Sequence, residues 1–400
     1  MKYLVLIGNG LSDQPLAEKD NRTPLQMADT PNLDRLAQAG RTGSVRTLPE
    51  ALPAGPDVSY LALLGYEPET YHSGAGHYLA RALGVPLAEG EMPLCCDFII
   101  LQSSHNDMVV KDYTAGQLSR DASETLIAAL QESIVSKSVR FHSGGGYHNL
   151  MVARGLTLPE HLQPPNELIG EGIRKHIPQD KPYRELVHLL NEAQIILHNH
   201  PFNRQRVSKN LDAVNSVWFW GHGEWKDLPP FEARFGRRGA VVTASPLMKG
   251  IARAAGMTVP EVPGATGFPD TDHEAKVRAA RDLLDTHEVV VVHVAGGEPV
   301  SLQGKIDDKV MVIEDFDEKV VGPLAREAEG RGDVKVLVTD SHMSSAVRMR
   351  YSREAVPFVV YPPKGEADGV AGFDESVTRR GAAHFSSGAG LTRAFLSGEL

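Results

Sequence analysis

This sequence predicts an α/β fold: a central, mostly parallel sheet flanked by helices, with a smaller α+β domain inserted into it. Three observations predict it. An apolar run at residues 3–7 stops abruptly at Gly8, Asn9 and Gly10, which reads as a buried first strand ending in a tight turn. Strand-like and helix-like segments alternate as βαβαβ from 240 to 294. Between them, residues 90–215 change texture, to hairpins and Pro-rich loops. The expected division is one α/β domain at 1–89 plus 216–400, with 90–215 inserted. At 400 residues the chain exceeds the size at which one core usually keeps growing, so two domains are expected.

Taken in order, residues 31–39 read as a short helix, with Thr30 as N-cap, Pro31 at the first position and Gly40 at the C-terminal cap. A second strand follows at 43–47. A Pro/Gly loop then runs into an apolar helix opening at Pro56 or Asp57, whose free N–H groups suit an anion. In the middle region, 92–102 is strand-like, 112–116 a turn, and 122–132 helical. Residues 138–154 form a hairpin broken by Gly144, Gly145 and Gly146, 159–180 is a loop, and 183–197 a helix. Arg204, Arg206 and Lys209 then make a basic stretch, read as a solvated face. Strands at 240–244, 258–262 and 289–294 alternate with helices at 246–255 and 273–286. A helix at 309–328 and strands at 334–339 and 356–361 follow, and residues 391–396 close the chain.

Hydrophobic residues are 42% and charged residues 23% of the chain, the composition of a globular protein able to bury a large core. The 41 basic against 51 acidic residues give a net charge of −10, which argues against nucleic acid or an anionic membrane as partner. A small anionic metabolite is expected instead. Cys95 and Cys96 are neighbours that point to opposite faces of a strand, so no disulfide is expected and a reducing compartment fits. The start lacks a basic segment with a small-residue cleavage site, and no apolar run reaches about 18 residues. A cytoplasmic location is the expectation; the oligomeric state is left open.

The stretches LVLIGNGLSDQP (4–15), KDNRTPLQMADTPNLDRLAQAGRTG (19–43), GPDVSYLALLGYEPETYHSGAGHYLARALGV (55–85), DYTAGQL (112–118) and residues 218–272 together resemble the archaeal-type cofactor-independent phosphoglycerate mutases of the alkaline phosphatase superfamily. The resemblance runs through the whole chain in order, and implies an alkaline-phosphatase-like sheet. It also implies a serine at a helix N-terminus that accepts a phosphoryl group, activated by two divalent ions held by aspartates and histidines.

Matched position by position, the family's first aspartate falls on Asn9 and the nucleophilic serine on Pro56. A histidine, lysine and aspartate pattern falls on His293, Ala295 and Glu298. A metal-ligating histidine falls on Leu302 and another on Tyr351. A Thr-Ala-Asp-His run falls on Thr339, Asp340, Ser341 and His342, so the acid sits one place early and replaces Ser341 only with a rearranged turn. An arginine of the family falls on Ala75, between His72 and His77. Lys249, Glu314 and Asp317 still match.

The residues singled out are therefore His342, Asp57, His77 and His72 for catalysis, and Asn9, Glu298, Asp340, Lys249 and His293 for ligand binding. No cofactor is expected, and at most one divalent ion, at His342 with Glu298 or Asp340. Three readings follow. The old cleft serves different chemistry on a phosphorylated or carboxylated metabolite, or it binds without catalysis, or a divergent mutase compensates through Asp57, Asp340 or Asp13.

Overall fold

The computed structural model describes residues 1–105, 107–136 and 138–400. The chain divides into two units, residues 1–72 with 226–400, and residues 73–225.

The first unit is built on a seven-stranded sheet. Its strands are β1 (Lys2–Gly8), β2 (Arg41–Val45), β3 (Gly239–Val242), β4 (Val289–Val294), β5 (Val334–Asp340), β6 (Val356–Tyr361) and β7 (Ala383–Phe385), in the spatial order β7-β2-β6-β5-β1-β4-β3. Only β6 runs against its neighbours, so the sheet is mostly parallel, as expected. β1 lies deep inside because it is apolar on both faces. Leu4 and Leu6 join a core with Leu33, Leu36, Ile313 and Phe316, while on the other face Tyr3 meets Phe395 edge-on, ring centroids 5.3 Å apart. Each such aliphatic side chain contributes roughly 1.5–3 kcal/mol by leaving water. In register, Ile7 faces His293 and Thr339, and Gly8 faces Val294 and Asp340. Three carboxyl ends thus stop level, the usual position of a ligand site in such sheets.

Several local expectations need correction. The helix Pro31–Ala39 forms, but Thr30 makes no side-chain cap. Its first free N–H groups are taken instead by the Asp317 carboxylate, which accepts from Asn32 N at 3.1 Å and Leu33 N at 2.6 Å. Asp317 reaches them from a π turn, Asp317–Val321, set between the helices Ile306–Phe316 and Gly322–Arg331. Gly40 is not left-handed, with φ −109; it is needed because a Cβ there would lie 2.5 Å from the Leu36 carbonyl oxygen. Residues 258–262 form no strand beyond a single bridge from Thr258 to Ala240, since Pro260 and Pro263 have no N–H for a ladder.

The second unit is organised around the long strand Glu91–Ser104, which pairs antiparallel with Asp107–Asp112, Leu150–Arg154 and Ser216–Trp220. Val139–His142 pairs with Leu150–Arg154 across the triple-glycine connection. Helices Arg120–Ser133 and Arg184–Asn199 cover one face with Leu126, Leu130, Leu189 and Ala193, against Leu94, Cys96 and Phe98. The expected boundaries at 89/90 and 215/216 lie inside this unit. The helix Ala75–Leu83 packs on the long strand so closely that a Cβ on Gly76 would come 2.4 Å from the Pro93 carbonyl oxygen, and Ser216–Trp220 is paired to that strand. Arg204 and Arg206 lie on a short helix, Pro201–Ser208, where they donate to the carbonyls of Asn199 and Asp212 at 2.8 and 2.7 Å. Both cysteines are buried and neither is in a disulfide. No helix among the described residues is long and apolar enough to cross a membrane.

Candidate functional site

Where β1, β4 and β5 end, the backbone itself draws the loops together. Asn9 N donates to Val294 O at 2.8 Å and Ser341 N to Gly8 O at 3.2 Å. Gly10, at φ +82, lies so close to the helix Gly297–Leu302 that a Cβ would come 2.5 Å from the Gly297 carbonyl carbon. That approach brings Glu298 to Asn9. The helix Pro56–Leu63, opened by Pro56 at its first position, presents Ser59 and Tyr60 to the same cluster.

Hydrogen-bond directions around Asn9 follow from its partners. Its amide nitrogen donates to Glu298 Oε2 and to the Tyr60 hydroxyl, the latter at 3.0 Å, so Oδ1 is left to accept from Ser341 Oγ. Tyr351 donates its phenol to Glu298 Oε1. Ser341 has spent its proton, so it accepts from His342 Nδ1 at 3.0 Å. Ser59 Oγ donates to Pro56 O at 3.1 Å and likewise faces Nδ1, at 3.1 Å. His342 therefore carries its proton on Nδ1, and Nε2 holds a lone pair with no partner among the described residues. Burial pulls the ring down to about 3, outweighing the Asp57 charge, so it is neutral.

His293 repeats the arrangement one strand away. Nδ1 meets Thr243 Oγ1 at 2.9 Å, Nε2 is unpartnered, and burial, helped by the Lys276 charge, also brings it to about 3. Lys276 is buried beside it, with Nζ 3.5 Å from the His293 carbonyl oxygen, and burial lowers it to about 8. Asn9, Glu298, His293 and His342 are thus gathered around the three strand ends, with Asp57 close enough to act on His342. Among the described residues, no three His, Cys, Asp or Glu side chains converge so as to hold a metal ion.

Other expected site residues lie elsewhere. Asp340 does not substitute for Ser341: adjacent strand residues face opposite ways, and its carboxylate turns to the backbone, accepting from Gly10 N at 3.0 Å and Ser12 N at 2.7 Å. Burial raises it to about 6. Lys249 is paired with Glu261 at 2.8 Å, a mostly exposed partner. His72 Nε2 meets Asp57 at 2.7 Å, while His77 belongs to the second unit, bonds the Gly223 carbonyl at 2.8 Å and is lowered by burial. The sequence reading missed Tyr60, Thr243 and Lys276. Tyr60 had a signal, since it follows Pro56 by four positions and so shares its helix face.

Residues 37–203 match the family described as 2,3-bisphosphoglycerate-independent phosphoglycerate mutase. A Geobacter sulfurreducens protein named a probable mutase of this kind is 37% identical over 380 residues, 95% of each chain. The chain belongs to this mutase family. A Methanosarcina mazei phosphoglycerate mutase of the family is 37% identical over 384 residues, 95% of this chain and 96% of that one. Among solved structures, the cofactor-independent phosphoglycerate mutase of Thermoplasma acidophilum is 27% identical, covers 99% of both chains and superposes with a TM-score of 0.57. The PH0037 protein of Pyrococcus horikoshii, 23% identical, shares the fold with a TM-score of 0.75 over 99% of this chain and 97% of its own. In this member of the mutase family, Asn9, Ser341 and His342 follow the strand ends, Glu298 reaches them from the helix Gly297–Leu302, Tyr351 bonds to Glu298, and Pro56 opens the adjoining helix.

Proposed function

We propose that this mutase-family chain has lost phosphoryl transfer through a serine, and that its strand-end cluster serves metal-independent acid–base chemistry on a small phosphorylated or carboxylated metabolite. The unpartnered Nε2 of neutral His342 carries this reading. A base must offer a lone pair, and the bonds to Ser341 and Ser59 hold that lone pair on Nε2. An anionic ligand beside the ring favours the imidazolium and raises it from about 3 toward neutrality.

Phosphoryl transfer lacks its parts. Pro56 has no hydroxyl, and Ser59 spends its proton on the Pro56 carbonyl while facing a nitrogen that already carries one. That is the reverse of a nucleophile and its base. The donor set does not suit two ions either: Asn9 and Ser341 are neutral, and both Glu298 oxygens already accept from Asn9 and Tyr351. No step is therefore routed through a metal.

One observation favours binding without turnover, namely that His342 is only 1% exposed. The experiment separates the readings. Interconversion of 2- and 3-phosphoglycerate is assayed with and without manganese, and melting is followed against phosphorylated and carboxylated metabolites. The expected result is no mutase rate and a stabilising metabolite that is turned over by the wild type but not by His342→Asn. Stabilisation without turnover selects the binding reading, and mutase turnover at enzymatic rates overturns both.

A further inference from the structure

The second unit holds a buried carboxylate that the chemistry above does not use. Asp97, on the strand Glu91–Ser104, is wholly buried. Its Oδ2 accepts the indole N–H of Trp220 at 2.7 Å, and its Oδ1 lies 2.9 Å from His148 Nδ1. Sheet backbone sets all three positions. Trp220 ends the paired strand Ser216–Trp220, opposite Cys95, and the residues on either side of His148 accept from the long strand: Phe98 N to Tyr147 O at 2.8 Å and Cys96 N to Asn149 O at 2.6 Å.

Donor and acceptor rules then fix the ring. A carboxylate that already accepts from Trp220 also accepts here, so the proton between them sits on His148 Nδ1, and in the neutral ring the lone pair is then on Nε2. The His148 side chain is 18% exposed, and among the described residues Nε2 has no hydrogen-bond partner. The Trp220 bond keeps the carboxylate from rotating away. A base oriented by a buried acid, with its far nitrogen open, is the arrangement used to take a proton from a hydroxyl.

We propose that His148 is a general base of the second unit, acting on an O–H group of a small hydroxyl-bearing ligand, and that Asp97 is its positioning residue. The O–H bond breaks, the proton goes to Nε2, and the electron pair stays on the ligand oxygen. The resulting imidazolium faces the Asp97 carboxylate, which stabilises it without taking the proton.

The test exploits Trp220, which can only donate. In Asp97→Asn the amide oxygen must stay with Trp220, so the amide N–H faces His148 Nδ1 and forces the ring proton onto Nε2. Adding Trp220→Phe frees the amide to turn and restores the original tautomer. Imidazole nitrogen NMR on the full chain reads the tautomer, and diethyl pyrocarbonate, which acylates an unprotonated nitrogen, reads the lone pair by mass spectrometry. Wild type and the double variant are expected in the Nδ1–H form, with acylation of His148 at least about tenfold slower in Asp97→Asn alone. A wild-type ring protonated on Nε2, or acylation that Asp97→Asn leaves unchanged, overturns the proposal. The wild-type spectrum decides this even if the single variant fails to fold.

Discussion

Two buried polar clusters of the first unit meet the same problem in opposite ways. Around Lys309, a full charge is enclosed and completely satisfied: the ammonium donates to Asp13 Oδ2 at 2.8 Å, Ser12 O at 3.0 Å and Ser344 O at 2.7 Å, while Asp13 also accepts from Gln14 N and Ala346 N. Around Asn9, the imidazoles are uncharged but their bonding is incomplete, with two Nε2 lone pairs unmatched. The charged pair at the centre of the first cluster is closed, every ammonium donor taken, although the Ser12 and Ser344 hydroxyls beside it have no partner among the described residues. The second keeps unused bonding capacity, which natural cores rarely tolerate without a purpose. The difference distinguishes polar residues that hold the loops from polar residues kept available.

The sharpest way to break this comparison is Lys309→Met. It leaves Asp13 buried without its cation, and the expected loss is about 3–5 kcal/mol of unfolding free energy, read by denaturant titration. A loss near zero would mean the closed cluster is dispensable.

Next in size is the effect of pH through Glu375, which accepts from Asp13 N at 3.0 Å and Thr23 Oγ1 at 2.7 Å and is pushed by burial up to about 7. Its folded value lies above its ordinary 4.5, so the folded state holds this proton more tightly. The protonated carboxyl's advantage is full below pH 4.5 and is lost as pH rises to 7, a change on the order of 3 kcal/mol from this group. Glu375→Gln should flatten that part of the stability profile; an unchanged slope would refute the assignment.

Asn9→Asp places a carboxylate beside Glu298 with no cation between them. Like charges at this range force one of the two to keep a proton at neutral pH. The expected cost is about 1–3 kcal/mol at pH 7, shrinking on acidification, as thermal melts over a pH series would show. A more stable variant in metal-free buffer would argue against the present view of this cluster.

His342→Phe is expected to do least to stability. It loses only the Nδ1 bonds to Ser59 and Ser341, about 1 kcal/mol, because Nε2 has no partner to leave behind. The same change should abolish the response to any metabolite that stabilises the wild type. A penalty as large as that of Lys309→Met would erase the distinction between the two clusters.

Much of this architecture was legible in the residues. The apolar run at 3–7 and the valines at 289–292 declare buried parallel strands, and Pro31 and Pro56 mark where helices begin. Local pattern could not reveal partners far along the chain. Asp317 caps a helix whose own Thr30 looked sufficient, because a π turn aims it there. Ser216–Trp220 was placed in the wrong domain because an aromatic strand looks the same whichever sheet receives it. At the site, the resemblance pointed to Asn9, Ser341 and Tyr351, but not to the bond between Ser341 and Asn9 or to Glu298 joining Asn9 and Tyr351. Asp340 bonds the backbone of Gly10 and Ser12 and Lys249 pairs with Glu261 for one reason: side-chain direction is decided by neighbours that sequence spacing does not contain.

The order of strands in the first sheet also bears on how the protein is made. β1 leaves the ribosome long before its two ladder partners, β4 and β5, which begin at Val289 and Val334. At roughly 5–20 residues per second, a nascent Leu4-Val5-Leu6-Ile7 segment waits on the order of a quarter of a minute to a minute before any partner strand exists. Through that interval it is a short, apolar, unpaired edge of the kind that nucleates intermolecular pairing. Residues 73–225 emerge whole in the meantime. Yield in the cell should therefore rise with a chaperone that shields the β1 segment until β4 and β5 are made.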